Sequence, residues 1–591
     1  MTMARAGPRT FMNEQPKSIW TKPWKGPRAL FLWFLLLMCG VFVAVFGVGW
    51  LSFGNLSRME DVVALSFLLA LVPFLALIIL VASLFIHWLC CWRNLRRFLF
   101  GVACLATLVA LFYAEENLRG KWAWESFKRE WEAKGEHFEL SGVAPAPVPD
   151  EENFAMAPVV ASAYSQLLDR NGHQIRPRNT NIVNRLEMPI EVNAKEPALP
   201  AMGNWQKAVK TDLQAWQEYY RKAAALTNQF PVAPEPQSPA ADVLLALSKY
   251  DPTIEELRQA GRRPYSRFPL EYDADCPAAI LLPHLANFKG CVQVLRLRAI
   301  AELQLGQTEK ALDDVNLSFR LVEAIRTEPI FISHLVRIAL VNITLQPVWE
   351  GLADHRWSDE QLRTLGQELG KLDFLADYRT AIRGEMACAA GDIDYFRRTR
   401  KLAVLGGFGD DGSSPVVSSL IPSGWFYQNQ LHCCRFETQW YLPLADQERR
   451  LASPAAVRRA DAALQSETSH KNPYNILETM LLPALANAVK KFANGQANVD
   501  LAQVACALER YHLAHGQYPD ALDALAPQFI EKLPHDIIGG QPLHCRRTNA
   551  GQFLLYSVGW NETDDGGQVA FKKDGAIDTQ QGDWVWRYPG Q

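Results

Sequence analysis

Few residues of this 591-residue chain stand at spacings that do recognisable chemistry. His512 and His515 lie three apart on a helical stretch, which lets two imidazoles face one metal ion. They also fall in the last turn, where histidine suits the negative end of the helix dipole, and capping is the reading taken. His432-Cys433-Cys434 sets an imidazole beside thiols, but adjacent residues on a helix point apart. Asp410 and Asp411 sit in the glycine-rich stretch Leu405–Ser414, which lacks the Lys-Ser/Thr of a phosphate-binding loop and reads as exposed. No His-Glu-x-x-His, Gly-x-Ser-x-Gly or Gly-x-Gly-x-x-Gly pattern falls in the context it needs. No catalytic residue and no organic cofactor site is therefore assigned. Cys39, Cys90, Cys91 and Cys104 fall in or beside apolar runs and read as small apolar residues. Cys276, Cys291, Cys388, Cys433, Cys434, Cys506 and Cys545 contain no Cys-x-x-Cys pair. They are neither a zinc site nor a disulfide framework, although one or two disulfides suit an oxidising compartment.

The elements that position these residues begin with a membrane block over 1–115. Leu30–Ser52, Val62–Trp92 and Phe98–Ala114 are uncharged runs, the last only just long enough to cross ~30 Å of hydrocarbon as a helix. The first is too long for a cleavable signal peptide, and the second follows at once. Arg5, Arg9, Lys17, Lys22, Lys25 and Arg28 precede the first run, and Arg93, Arg96 and Arg97 precede the third. The loop between the first two holds Arg58 with Glu60 and Asp61. Three spans are expected on the positive-inside rule, with the N-terminus cytoplasmic and the bulk after Ala114 in a bacterial periplasm, anchored in the inner membrane. The chain carries a net charge of −3, but the part after Ala114 carries −10. That balance argues against nucleic acid as a partner.

Residues 116–239 read as helix and proline-rich linker. Asn117–Gly135 is a charged helix with Trp122, Trp124, Phe127 and Trp131, placed either at the membrane interface or packed in the soluble part. Ala144–Pro149 is a stiff linker. Asn153–Leu168 and Trp205–Leu226 look helical, Arg170–Pro200 looks loop-rich, and Pro231–Pro239 is a second proline-rich break. Residues 240–471 form an α-helical domain in which Leu285–Leu305, Thr308–Arg326, Ile330–Leu352, Ser358–Lys371 and Phe374–Thr399 each show a 3.6-residue period. Leu303-x-x-Gly306 resembles one tetratricopeptide hairpin, but no 34-residue repeat follows. Ser358 opens its helix as an N-cap. Trp425–Ala445 resumes as an aromatic helix.

Residues 472–591 change character. Apolar residues recur at helical spacing from Leu477 to His515, with a kink expected at Asn494-Gly495 and a C-cap at Gly516. Pro542–Arg547 and Phe553–Gly559 are strand-length runs joined by the turn Thr548–Gly551. Trp584–Tyr588 alternates as a further strand. The sum is an α+β unit, a long helix laid on a small antiparallel sheet, expected to fold by itself. The fold class is mainly α overall.

Ala507-Leu508-x-x-Tyr511, Gly516-x-Tyr518-Pro519, Leu522-x-x-Leu525, Leu533-Pro534-x-Asp536, Gly540-x-Pro542, Leu555-Tyr556-Ser557-x-Gly559 and the acidic Asp-Gly-Gly loop follow one another in this order. This tail, about a fifth of the chain, resembles the major pseudopilin of type II secretion. The resemblance implies a pseudopilin-like head and a calcium site with Asp564, Asp565, Asp578 and Asp583 as candidate ligands. Ca²⁺ takes clustered carboxylate and carbonyl oxygens; a solvated Asp-Gly turn is the plainer reading. Pseudopilins begin this helix at a processed leader, whereas here it lies deep inside the chain. The tail is therefore not expected to be extruded as a fibre subunit. The whole chain is similar to large uncharacterised membrane proteins of the Verrucomicrobia–Planctomycetes type, from which no activity follows.

Two functions remain open. One is a membrane-anchored envelope protein whose helical body and head bind or assemble with other envelope proteins. The other is an enzyme with its site in a cleft of the helical domain.

Overall fold

In the computed structural model the described residues are 33, 36, 38–40, 77–79, 81–86, 88–164, 184–191, 197–227, 229–400, 418–548 and 551–589. Leu30–Ser52 and Val62–Trp92 lie largely outside them, as do Asp410, Asp411 and most of Arg170–Pro200. The chain divides into two compact units, Met1–Glu115 and Glu116–Gln591.

Helix α1 runs unbroken over Trp92–Glu132, 41 residues. The apolar run and the charged helix expected as separate elements are one element, because Glu115–Leu118 contains no proline or glycine to stop it. Leu105, Leu108 and Leu111 on its first part are 63%, 64% and 60% exposed. Its second part buries Glu116, Gly120, Trp124 and Phe127. Trp124 and Phe127 thus pack in the soluble unit against Phe138, while Trp122 stays exposed. Among the described residues two helices are long and apolar enough to cross a membrane, α1 and Phe331–Ala353. The second is mostly buried within its own unit, as a core helix is.

The second unit is mainly helical. Leaving single turns aside, its helices are α2 (Leu213–Leu226), α3 (Pro239–Leu247), α4 (Asp251–Gly261), α5 (Pro283–Gln304), α6 (Thr308–Ala324), α7 (Phe331–Ala353), α8 (Asp359–Gly370), α9 (Phe374–Thr399), α10 (Ser423–Phe436), α11 (Pro454–Thr468), α12 (Ile476–Leu481) and α13 (Ala488–His515). Ser358 and Gln361 cap α8 reciprocally in a capping box. Asn153–Leu168 is not one helix: Phe154–Met156, Pro158–Ala161 and Ser162–Tyr164 are separate turns, with Pro158 opening the second at N1. Trp205–Lys207 is likewise a turn of its own before α2. After α10 the chain passes into a π-turn, Glu437–Tyr441, then a two-stranded ribbon, β1 (Ala445–Asp446) with β2 (Leu451–Ala452).

Helix α13 is the axis of this unit. It packs against α7, α8 and α9 and is buried on nearly every side from Ala488 to Glu509. The expected kink at Asn494-Gly495 is absent. Gly495 is instead where α7 comes close: a Cβ there would meet Ile338 Cγ2 at 3.0 Å. The interruption falls earlier, at Pro483, where α12 gives way to the turn Leu482–Ala484. Gly516, at φ +72°, takes the left-handed C-cap position and donates its N–H to the His512 carbonyl at 2.7 Å.

The sheet has the order β3-β4-β7 and is antiparallel throughout. Strands β3 (His544–Arg547), β4 (Phe553–Ser557) and β7 (Trp584–Trp586) pair in the register His544↔Tyr556 and Tyr556↔Val585. A separate ribbon joins β5 (Val569–Phe571) to β6 (Ile577–Gly582). The sheet does not close over α13 alone. The Trp349 indole on α7 donates to the Arg587 carbonyl at 2.9 Å, and the Trp205 and Trp586 rings lie 5.1 Å apart. One hydrophobic core runs from Leu140 to Tyr588, crossing the positions 239 and 471 where subdivision was expected. No disulfide forms among the described cysteines.

Candidate functional site

An apolar cavity forms where α10 and α12 meet the start of the second unit. Gly424, in the first turn of α10, donates its N–H to Asn117 Oδ1 at 2.8 Å. Its neighbour Trp425 donates its indole N–H to Glu116 Oε2 at 3.1 Å, and the Tyr474 hydroxyl donates to Glu116 Oε1 at 2.9 Å. Arg119 completes this knot, 2.6 Å from the same carboxylate and over the Tyr474 ring. Asn429, one helical turn past Trp425, ties the two helices. Its amide donates to the Pro473 carbonyl at 2.8 Å and its oxygen accepts the Leu477 N–H at 2.9 Å.

The result is a groove of about 410 Å³ lined by Ile421, Trp425, Phe426, Ile476, Leu477 and Met480, with Lys471 and Asn472 also on its wall. Its volume lies within the ~300–1,000 Å³ of small-molecule sites. Ile476 and Met480 are 45% and 39% exposed, an apolar surface open to a ligand.

A cluster of titratable groups joins α10 and α12 to α11. His432 on α10, Glu467 on α11 and Glu478 on α12 bring one ligand atom each within 4.8 Å of one another. Burial first, and Glu467 second, push the Glu478 carboxyl up to about 7. Burial, then the Arg435 charge, pushes the His432 imidazole down to about 4, so it is neutral. Glu437, in the π-turn, is fully buried, and among the described residues no donor reaches either of its oxygens. Burial and then Glu385 hold it well above the ordinary carboxylate range.

A second group joins His355, Glu509 and His512. His355 Nδ1 lies 2.6 Å from Glu509 Oε1, and the Tyr518 hydroxyl donates to Glu509 Oε2 at 2.6 Å. Both oxygens of this buried acid are thus satisfied within the protein. His512, read from sequence as a cap, belongs to this group, and its ring stacks on Tyr518 at 4.6 Å. His515 turns back to the Tyr511 carbonyl at 3.0 Å and does not join it.

The acidic loop is held by its own backbone. Asp583 accepts the N–H of Asp565 at 3.2 Å and of Gly567 at 2.6 Å. Asp564 accepts the Tyr556 hydroxyl at 3.0 Å and the Gly566 N–H at 2.9 Å. The Gly566 bond, with the Tyr556 bond second, keeps the Asp564 carboxyl low. Asp565 accepts from the Asn561 amide at 2.8 Å. Asp578 lies apart on β6 and caps the Gln580 N–H at 3.0 Å. Three of the four candidates therefore gather at one loop, through hydrogen bonds.

Glu467, Glu478, Glu509 and His355 were not singled out from sequence. The signal for Glu478 was a lone acid inside the stretch Ile476–Leu481, where four of six residues are apolar. For the others no local pattern exists, since their partners stand on other elements. Among the charged residues of the helical domain, Arg258 and Arg298 both pair with buried Asp314, and Arg320 donates to the Gly261 and Arg263 carbonyls. These guanidiniums are committed to the fold.

Comparison with family models, with curated proteins and with solved structures returns no match.

Proposed function

We propose that this chain is a membrane-anchored protein of the bacterial cell envelope whose helical unit holds the acyl chain of a membrane lipid in the groove between α10 and α12. The observation that carries this reading is the double tie of Trp425 and Tyr474 to Glu116. Glu116 follows the apolar run Phe98–Ala114 by two residues in the same helix, so the groove is built beside the point where the chain leaves that run. A trough of aliphatic and aromatic side chains gives an acyl chain a place to leave water. Lys471 on the wall supplies a cation for the lipid phosphate. The basic clusters before the first and third apolar runs support a three-span anchor with the part after Ala114 on the periplasmic side. The pseudopilin-like tail is then a structural member of the binding unit, since its long helix is the core of that unit. The enzyme reading has less support, because Arg258, Arg298 and Arg320 of the helical domain are tied up in ion pairs and backbone bonds.

The test uses the full chain in nanodiscs containing phosphatidylglycerol with a photoactivatable diazirine on its acyl chain. After irradiation, adducts should map to Trp425, Ile476 or Met480. I476E and M480E should lower that yield several-fold without changing the melting temperature, because both side chains are partly exposed. Adducts confined to 92–114 would sink the reading.

A further inference from the structure

We propose that His432, Glu467 and Glu478 form a binding site for one divalent transition-metal cation, with Zn²⁺ as the probe. Their three ligand atoms already lie within 4.8 Å of one another. An ion bound at ~2.0–2.2 Å by nitrogen and oxygen keeps its ligands on the order of 3–3.5 Å apart, so a small closure of side chains suffices.

The independent observation is Glu478. It is 0% exposed, and among the described residues no N–H donor reaches either of its carboxylate oxygens; its side-chain partner is the Glu467 carboxyl. A buried carboxylate without donors has to be neutralised. Two groups face it. His432 Nδ1 stands 3.7 Å from Glu478 Oε2, and Glu467 is the other member of the cluster. Two carboxyls can bond to each other only through a shared proton, or through a cation placed between them.

Arg435 is the competing charge. Its guanidinium lies 3.2 Å from His432 Nδ1 and 3.8 Å from Glu467 Oε2, and no hydrogen bond joins it to Glu478. Its side chain is 36% exposed, so it can swing into water and leave the imidazole lone pair to an ion. The solvent-side positions of His432 and Glu467, 26% and 37% exposed, give the ion a way in. One imidazole and two carboxylates suit Zn²⁺ or Mn²⁺. Ca²⁺, which takes six to eight oxygens, is poorly served. The site is independent of the lipid-binding reading.

The experiment takes the full chain in detergent, stripped with a chelator that is then removed. Zn²⁺ affinity is measured by competition with a chromophoric chelator. H432A and E478Q should each weaken binding by about tenfold or more, the scale on which even supporting residues act. R435Q should bind at least as tightly as wild type. H355A, in the other His–Glu–His group, should leave this affinity unchanged. E478Q alters the core, so H432A, at a partly exposed position, decides if E478Q melts early. No Zn²⁺ uptake by wild type, or an unchanged affinity in H432A, overturns the proposal. A loss in H355A alone overturns it equally, by moving the ion to the other group.

Discussion

Gly120 and Gly424 meet backbone to backbone. A Cβ on Gly120 would stand 2.4 Å from the Gly424 carbonyl oxygen, and one on Gly424 would stand 2.0 Å from that of Glu116. This contact sets the distance between α1 and α10, and with it the bonds of Asn117, Trp425 and Tyr474 that frame the groove. In an exposed helix interior, Gly→Ala stabilises by roughly 1 kcal/mol. Here G424A should do the opposite. It should separate the helices and forfeit at least two hydrogen bonds worth about 0.5–1.5 kcal/mol each. A lower melting temperature with reduced lipid adducts is the expected result. A melting temperature at or above wild type would mean that the helices do not cross here.

Glu437 makes stability depend on pH in an unusual direction. Its folded pKa lies well above its unfolded value, so between the two the folded state holds more protons. Stability from this group therefore falls as pH rises from about 4.5 through the folded pKa. E437Q keeps the side chain neutral at every pH. In urea unfolding it should be more stable than wild type at pH 8 by about 1 kcal/mol or more, since a tenfold change in proton affinity is worth ~1.4 kcal/mol. At pH 4.5, where wild-type Glu437 is protonated, the two should agree closely. A constant difference at both pH values would show that Glu437 is not buried uncharged.

The tail should not fold alone. Helix α13 buries Val489, Phe492, Val499, Leu501, Val504 and Leu508 in a core shared with α7, α8 and α9. Cut free, Pro473–Gln591 would expose much of that surface at ~25 cal/mol per Å². Circular dichroism of this fragment should show no cooperative melt. A sharp transition would mean that the sheet alone covers the helix.

The acidic loop should be indifferent to calcium. Asp583 and Asp564 already receive backbone N–H groups, which stabilise their charge without an ion. The full chain should melt at the same midpoint in EDTA and in millimolar Ca²⁺. D583A should lower the midpoint by leaving two loop N–H groups without acceptors, a cost of roughly 1–3 kcal/mol. A midpoint that rises with Ca²⁺ concentration would restore the ion site that the pseudopilin resemblance implies, because binding only to the folded state stabilises it.

Local signals determined the elements. The 3.6-residue period placed α5 to α9, Ser358 marked a cap, Gly516 marked the end of α13, and the Thr548–Gly551 turn paired β3 with β4. These features rest on contacts within a few residues, which a sequence records directly. The apolar run at Phe98–Ala114 was legible for the same reason, since composition alone makes it too greasy for water.

Tertiary structure decided how those elements combine. Asn494-Gly495 reads as a break, yet Gly495 is kept small so that Ile338 can approach across a helix crossing. The long helix of the tail looks amphipathic enough to lie on a sheet, yet helices from the middle of the chain surround it. Glu116 meets Trp425 across 309 positions, and His432 meets Glu467 and Glu478 from three separate helices. No spacing rule along the chain encodes such meetings, because they are fixed by which apolar faces bury together, and burial is a property of the whole core.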